Sequence, residues 1–230
     1  MDILLVPGLW LDGASWEPVL DPLRAAGHAP RALTMPGLGA RATEASGIGI
    51  RDWIDAVVDE IDGAAGDVVL VGHSGGGNVI WGAADARPDR IARAVFVDTV
   101  PPPDGFGINE FDAVDGLVPF PGWDFFPDED VRDLDAAVRA RTSALMRSVP
   151  ARATSDPVRL ADPRRFDVPV TLLMGGLDRS GVERALEQWG PYGEEFGRIR
   201  DAEVRTIGSG HWPQFSAPER LAELLVAAIA

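Results

Sequence analysis

Ser74 is the residue whose surroundings in the sequence most clearly indicate chemistry. It is the serine of a G-x-S-x-G pattern that spans residues 72–76. Four apolar residues, 68–71, precede the pattern and predict a buried strand, and an Ala-rich run over residues 79–86 predicts a helix. A sharp turn between a strand and a helix strains the backbone of the serine and exposes its hydroxyl. We therefore predict that Ser74 is a nucleophile, rather than a residue that only caps the helix.

A serine hydroxyl needs a base at neutral pH, and this chain has three histidines. His211 follows a predicted strand over residues 203–207, at the sheet edge where Ser74 is expected. His73 is adjacent to Ser74, but neighbouring side chains at a strand end point to opposite sides. His28 lies between a helix and a strand, at the opposite edge. The sequence therefore predicts His211 as the base.

A carboxylate must hold the tautomer of this histidine and stabilise its charged form. Asp98 and Asp178 each follow a predicted strand at the same sheet edge as Ser74. We predict Asp178, because its strand directly precedes the strand of His211 and the chain order is then Ser, Asp, His. Asp98 remains the alternative, and either residue could instead be a turn or cap residue.

Two backbone N–H groups are predicted to stabilise a developing oxyanion. One belongs to Gly75, which directly follows the nucleophile at the start of its helix, where the helix dipole helps. The other is expected in the loop after the first strand, at Leu9, since Gly8 lets this loop turn. Trp10 is the alternative donor, or a residue that lines the substrate pocket.

Predicted strands and helices alternate along the chain and place these residues at the strand ends. Strand patterns cover residues 3–6, 30–35, 68–71, 94–97, 168–174 and 203–207, and helix patterns alternate with them up to a last amphipathic helix over 218–229. Alternating strands and helices predict an α/β fold with a doubly wound, mainly parallel sheet of about six strands.

The segment 101–165, called the insertion below, has no strand pattern. We predict a helical lid within a single domain of residues 1–230, with a charged helix from 128 to about 147. Its aromatic residues either form a small core of the lid or line the cleft; they are Phe106, Phe111, Phe120, Trp123, Phe125 and Phe126. For contact with substrate we select Phe106 and Trp123, together with Trp10 and Trp212 from outside the insertion.

Composition restricts the partners. The net charge is −15, which argues against nucleic acids and anionic membrane surfaces. There is no cysteine, and the three histidines lie in unrelated contexts, so we expect no metal site and no disulfide. The N-terminus lacks the basic region of a signal peptide, and a cytoplasmic location is the expectation. Monomer and homodimer both remain open.

At this point the chain resembles the α/β-hydrolase superfamily, and within it a small six-stranded branch that contains plant methyl esterases and hydroxynitrile lyases. The resemblance extends over nearly the whole chain and rests on residues 6–8, 13–16, 72–76, 94–96, 175–178 and 210–211. It implies cofactor-free chemistry through Ser, His and Asp. Pro7 replaces the histidine that the family usually has in its oxyanion loop. Trp212 replaces the lysine that follows the catalytic histidine in such lyases, and residues 211–214 look more like the tail of some C–C hydrolases and esterases.

Together these features predict a carboxylesterase for a small hydrophobic ester, in which Ser74, His211 and Asp178 are catalytic and Leu9 and Gly75 form the oxyanion hole. A cofactor-free C–C hydrolase or lyase on the same residues is the first alternative. A binding protein of the same fold with an inactive triad is the second, which the intact Ser, Asp and His argue against.

Overall fold

A six-stranded parallel sheet forms the centre of the computed structural model, which describes residues 1–229. The strands in chain order are β1 (Asp2–Val6), β2 (Ala29–Ala32), β3 (Val68–His73), β4 (Ile91–Val97), β5 (Leu117–Val118), β6 (Val149–Pro150), β7 (Val170–Met174) and β8 (Ala202–Thr206). The sheet has the order β2-β1-β3-β4-β7-β8, and all its pairs are parallel. Strands β5 and β6 form a separate antiparallel pair.

Helices cover both faces of this sheet, as the alternation of elements predicts. They are α1 (Glu17–Ala25), α2 (Ala42–Ala45), α3 (Ile50–Gly63), α4 (Gly76–Ala86), α5 (Asp128–Val131), α6 (Ala136–Ser143), α7 (Ala151–Ser155), α8 (Arg179–Gln188), α9 (Pro191–Gly197), α10 (Pro213–Ser216) and α11 (Pro218–Ile229). Short 3-10 helices cover Gly13–Trp16, Pro88–Arg90, Trp123–Phe125 and Pro163–Asp167. Within residues 1–229, no helix has the length and hydropathy that a membrane span requires.

The strand residues alternate between two cores, because successive side chains of a strand point to opposite faces. Leu70 and Phe96 belong to the core that α3 and α4 cover, whereas Val71 and Val95 belong to the core that α1 and α11 cover. Every residue of β3 is buried. The strand is therefore apolar on both sides, which explains its uninterrupted run of valine and leucine.

The predicted α/β fold and its six parallel strands are confirmed, with shifts at the strand ends. The second strand covers only Ala29–Ala32 rather than residues 30–35, while β4 begins at Ile91, three residues earlier than predicted. The last helix has the predicted bounds. Helices α8 and α9, which lie between β7 and β8, were not assigned from the sequence.

The insertion differs from its prediction in two ways. The single helix expected over 128–147 is divided into α5 and α6, because Asp135 ends the intervening turn and caps α6 by accepting a hydrogen bond from the N–H of Val138 at 2.8 Å. The insertion also contains the β5–β6 pair, although its sequence has no strand pattern. Two-residue strands are too short to produce a recognisable alternation.

Candidate active site

Ser74 lies at the turn between β3 and α4 with φ at 50°, in the left-handed region that few residues other than glycine adopt. The turn is close enough to its neighbours that side chains on two of its glycines would collide with backbone. A Cβ on Gly72 would lie 2.6 Å from the carbonyl oxygen of Gly76, and one on Gly76 would lie 2.6 Å from that of Pro7. The strained turn predicted from the G-x-S-x-G pattern is therefore present.

His211 is hydrogen-bonded to Asp98, because the strands that carry them end at the same edge of the sheet. Its Nδ1 lies 2.6 Å from Asp98 Oδ2, and Asp98 Oδ1 accepts a second hydrogen bond from the N–H of Gly175 at 2.6 Å. Asp98 directly follows β4, which pairs with the strand of Ser74. Its φ of 48° is also in the left-handed region. The backbone is thus strained at both the serine and the carboxylate.

Asp178, predicted as the partner of His211, is placed elsewhere by the structure. It is exposed and is the N-cap of α8, where Oδ1 accepts hydrogen bonds from the N–H of Gly181 at 2.8 Å and from the Ser180 hydroxyl at 2.9 Å. These two bonds hold the pKa of its carboxyl below the usual value. Chain order cannot separate the two candidates, since Ser, Asp, His holds for both. The cap role that the sequence analysis left open for Asp178 is the observed one, but the helix that it caps was not assigned from the sequence.

Asp98 is held in its charged form despite its surroundings. Burial is the largest single influence on its pKa and acts to raise it, but the hydrogen bond and positive charge of His211, together with the N–H of Gly175, outweigh burial. The pKa of Asp98 is consequently lowered from its ordinary value. An ionised carboxylate at this position fixes the proton of His211 on Nδ1 and leaves Nε2 as the acceptor.

His73 does not act on Ser74 but supports the loop of His211. Its ring is 1% exposed and its Nε2 donates to the carbonyl oxygen of His211 at 2.7 Å. A Cβ on Gly8 would lie 2.6 Å from its Nδ1, so only glycine fits beside this ring. Burial, and secondly repulsion by His211, lower the pKa of His73 to about 3. The residue is therefore a neutral hydrogen-bond donor at any pH near neutrality.

This buried histidine predicts a pH-dependent stability. Below about pH 6.5 the unfolded chain binds a proton at His73 that the folded chain does not bind until about pH 3. The contribution of His73 to the free energy of unfolding should hence be nearly constant well above pH 6.5 and fall as the pH decreases through 6.5, by about 2 kcal/mol at pH 5. The free energy of unfolding is measured with urea at pH 7 and at pH 5, for the wild type and for His73→Gln, whose amide can still donate. Between these pH values it should fall more steeply in the wild type than in His73→Gln. Equal slopes would contradict the neutral, buried ring.

The predicted oxyanion donors Leu9 and Gly75 are adjacent. Leu9 Cγ lies 3.1 Å from the position of a Cβ on Gly75, and Gly75 is the N-cap of α4. Among residues 1–229, the amides of Leu9 and Gly75 have no hydrogen-bond acceptor, and the hydroxyl of Ser74 has no partner either. One of these free amides belongs to the N-cap of α4, directly after Ser74, and the other to the loop after β1. Free amides at these places are what the oxyanion prediction requires. Their role in catalysis remains a prediction.

A cavity of about 460 Å³ opens beside His211 and Asp98. Its lining combines apolar groups with charged groups from the insertion and includes Val100, Met174, Leu177, Trp189, Asp130 and Arg132. None of the four residues selected for substrate contact, Trp10, Trp212, Phe106 and Trp123, lines this cavity.

Three of these four residues pack within the aromatic core of the insertion. Trp10, Trp123 and Trp212 are each less than 8% exposed. Trp212 and Trp123 meet edge to face with ring centres 4.9 Å apart, and the indole N–H of Trp123 donates to Ser143 Oγ at 2.8 Å. Trp10 packs edge to face on three phenylalanines: Phe111, Phe120 and Phe126. Of the two alternatives given for these rings, a small core within the insertion therefore describes the structure better than a lining of the cleft.

The fourth residue, Phe106, is 40% exposed and packs against Tyr192 with ring centres 5.6 Å apart. It lines a separate cavity of about 440 Å³. The residue of the same segment that reaches the elbow is Ile108, whose Cδ1 lies 3.1 Å from the position of a Cβ on Gly75. The sequence analysis missed Ile108, since the search of the insertion considered only aromatic residues.

Comparison of the sequence with known proteins finds a family and several relatives. The family model described as the alpha/beta hydrolase family matches residues 3–224. The "Probable esterase PIR7A" of Oryza sativa subsp. indica is 34% identical over 148 residues, which cover 62% of this chain and 55% of the relative. The match thus spans about half the length of that relative. The "Carbendazim hydrolyzing esterase" of Nocardioides sp. is 28% identical over 255 aligned positions, or 98% of each chain.

Solved structures are similar over the whole chain. An extracellular alpha/beta-hydrolase from a Paenibacillus species, described as sharing structural and functional homology with tobacco salicylic acid binding protein 2, has a TM-score of 0.77 at 24% identity, with 99% of this chain and 98% of that chain covered. The methylesterase protein MES16 from Arabidopsis has a TM-score of 0.75 at 21% identity, with 100% and 98% covered. At such identities these matches show the fold alone. Because the family model spans nearly all of the sequence and the fold agrees with it, the chain belongs to the alpha/beta hydrolase family.

Proposed function

We propose that this protein is a serine carboxylesterase that hydrolyses small hydrophobic esters through an acyl-enzyme on Ser74. The observation that carries the proposal is the 2.6 Å hydrogen bond between His211 Nδ1 and Asp98 Oδ2, at the sheet edge where Ser74 occupies a strained elbow. The esterase names of two relatives support the reaction class.

The mechanism follows from the tautomer that Asp98 imposes. With its proton on Nδ1, His211 presents Nε2 as a base, takes the proton of Ser74 Oγ and lets the oxygen attack the ester carbonyl. The charged imidazolium is stabilised by Asp98 and then protonates the departing alcohol. A water molecule, deprotonated by the same Nε2, then attacks the acyl carbonyl. The bond between the acyl carbon and Ser74 Oγ breaks, the imidazolium returns its proton to Oγ, and the acid is released.

The N–H groups of Leu9 and Gly75 are proposed to bind the oxyanion during both steps. Pro7 has no N–H and no imidazole, so support from the usual histidine of the family is absent here. Its carbonyl instead contacts the elbow at Gly76. The position of α4, which begins directly after Gly75, adds the positive end of a helix dipole.

The size and polarity of the substrate are inferred from the surroundings of Gly75. The side chains of Leu9 and Ile108 each come within 3.1 Å of the position that a Cβ on this glycine would take. We infer from this that the space beside the oxyanion position is apolar and narrow. A short acyl chain fits such a space, whereas a long chain requires displacement of Ile108. Burial of the apolar part of the substrate would contribute about 25 cal/mol per Å².

A cofactor-free lyase or C–C hydrolase would use the same serine and histidine. Cleavage of a cyanohydrin releases cyanide, whose negative charge a lysine after the histidine could stabilise, but Trp212 occupies that position and is buried at 3% exposure. This observation favours the esterase over a cyanohydrin lyase.

We expect purified enzyme to hydrolyse the nitrophenyl esters of two- to four-carbon acids faster than those of eight or more carbons. With mandelonitrile we expect no appreciable cyanide release. Both reactions are measured by absorbance, and labelling with a fluorophosphonate should modify Ser74 alone. Cyanide release that disappears in Ser74→Ala would contradict the esterase and favour the lyase. A protein that neither turns over an ester nor reacts with the fluorophosphonate would be the binding protein.

A further inference from the structure

Three consecutive residues of the loop that carries His211 are bound to one short segment of the insertion. The N–H of His211 donates to the carbonyl oxygen of Asp130 at 2.8 Å, and the N–H of Gly210 donates to Asp133 Oδ2 at 2.7 Å. The carbonyl oxygen of Ser209 accepts a hydrogen bond from the guanidinium of Arg132. The segment 130–133 therefore satisfies polar groups in each residue of the loop 209–211.

The two segments approach each other closely at Gly210. A Cβ on Gly210 would overlap the carbonyl oxygen of Asp130 and lie 2.5 Å from Asp133 Oδ1. Ser209 is 1% exposed, although it lies in a loop. Only glycine at position 210 allows this approach, so the segment 130–133 packs closely against the histidine loop.

The other attachments of the loop come from the central sheet and its elbow. The N–H groups of Gly208 and Ser209 both donate to the carbonyl oxygen of Gly175 at 2.9 Å, and His73 binds the carbonyl of His211. These bonds hold the start of the loop and the far side of His211. The amides of Gly210 and His211 are held by the insertion.

We propose that Asp133 is a positioning residue for catalysis, which aligns the His211 ring with Ser74 through the loop 209–211. The inference depends on the proposed role of His211 as the base. The docking of the insertion against the loop then becomes a condition for full turnover. Asp98 holds the ring of His211 at Nδ1, whereas the sheet and the insertion together hold the backbone that carries the ring. Misplacement of a catalytic group by about 1 Å can lower a rate by about 10²-fold.

Asp133 is suited to this role by its chemistry. A carboxylate that accepts from a backbone N–H forms a charge-assisted hydrogen bond, about twice as strong as a neutral one. Asparagine would keep an acceptor oxygen at nearly the same place, whereas alanine would leave the Gly210 amide without a partner. Asp133→Asn thus removes the negative charge but keeps an acceptor for the Gly210 amide, whereas Asp133→Ala removes both.

The test compares kcat and KM for a short nitrophenyl ester in Asp133→Ala, Asp133→Asn and Asp135→Ala. Asp135 is the matched control, because it also lies in the insertion and its carboxylate also accepts from a backbone N–H, that of Val138, at 2.8 Å without contact to the histidine loop. We expect Asp133→Ala to lower kcat by about 10-fold or more, with KM changed less than about two-fold. Asp133→Asn should recover most of kcat, and Asp135→Ala should keep kcat near that of the wild type while it lowers thermal stability.

The rate of fluorophosphonate labelling should fall with kcat in Asp133→Ala, since it reports the activation of Ser74 without substrate turnover. Wild-type kcat in Asp133→Ala, or an equal loss in Asp135→Ala, would overturn the inference. Failure of asparagine to restore activity in a folded protein would overturn it as well. Ser74→Ala, measured alongside, distinguishes failure of the esterase proposal from failure of the positioning role alone. If Ser74→Ala stays active, the esterase proposal fails and the positioning role fails with it.

Discussion

The Ser74→Ala variant should fold like the wild type and lose turnover of its best ester by about 10⁴-fold or more. The expectation follows from the proposed role of Ser74 as the nucleophile, and from the way that the members of a catalytic triad act as a unit. His211→Ala should reduce turnover to the same extent, and the double variant should be no worse than either single variant. The measurement is kcat by single-turnover and steady-state kinetics, with the urea midpoint as the check on folding.

Ser180→Ala is the matched control for the serine. Ser180 is an exposed serine in the first turn of α8, and its hydroxyl donates a hydrogen bond to Asp178. We expect kcat within about two-fold of the wild type in this control, as is usual for a surface substitution. Wild-type activity in Ser74→Ala would remove the nucleophile from the mechanism.

Asp98→Asn should lower kcat by about 10³-fold or more, because the asparagine amide can offer His211 the wrong hydrogen-bonding group and with it the wrong tautomer. Asparagine is the appropriate substitution, since it tolerates the left-handed backbone that Asp98 adopts with φ at 48°. The loss should appear in kcat with little change in folding. The value of kcat is taken from the pH range in which it no longer changes with pH. A change in the pKa of His211 is then not mistaken for a lower maximal rate.

Asp178→Asn is the comparison that decides between the two carboxylates. Its side chain caps α8 at the surface, and asparagine is a good N-cap residue. We expect less than a three-fold change in kcat. If Asp178→Asn were the more damaging of the two, the acid would have to be reassigned to the position that the sequence analysis favoured.

The choice between these aspartates illustrates the limit of reasoning from the sequence. Both follow strands at one sheet edge, and both satisfy the chain order of the family, so local pattern and order are equally compatible with either. What separates them is the position of their strands in the sheet. Asp98 directly follows β4, which lies between the strand of Ser74 and β7, and its carboxylate binds His211. Strand order in space depends on crossover connections, which a linear pattern does not specify.

The aromatic residues of the insertion show the same limit at the level of packing. Their clustering in the sequence correctly indicated a shared environment, but not whether that environment faces the cleft. Trp10 and Trp212, from distant parts of the chain, complete the cluster around Trp123 and Phe126. Contacts of this kind depend on how the insertion folds back on the sheet edge, and no single segment encodes them.

The sequence by itself determined the α/β class, the number of sheet strands, the elbow at Ser74 and the edge at which His211 lies. These features follow from local causes: apolar runs, glycines where backbones approach closely, and the alternation of strands with helices. Only the tertiary structure decided that Asp98 binds His211, that His73 is a neutral support for the loop, and that Asp130 and Asp133 hold the amides of residues 210–211. Each of these is a hydrogen bond between segments far apart in the chain, whose formation depends on the order of the strands and on the path of the insertion.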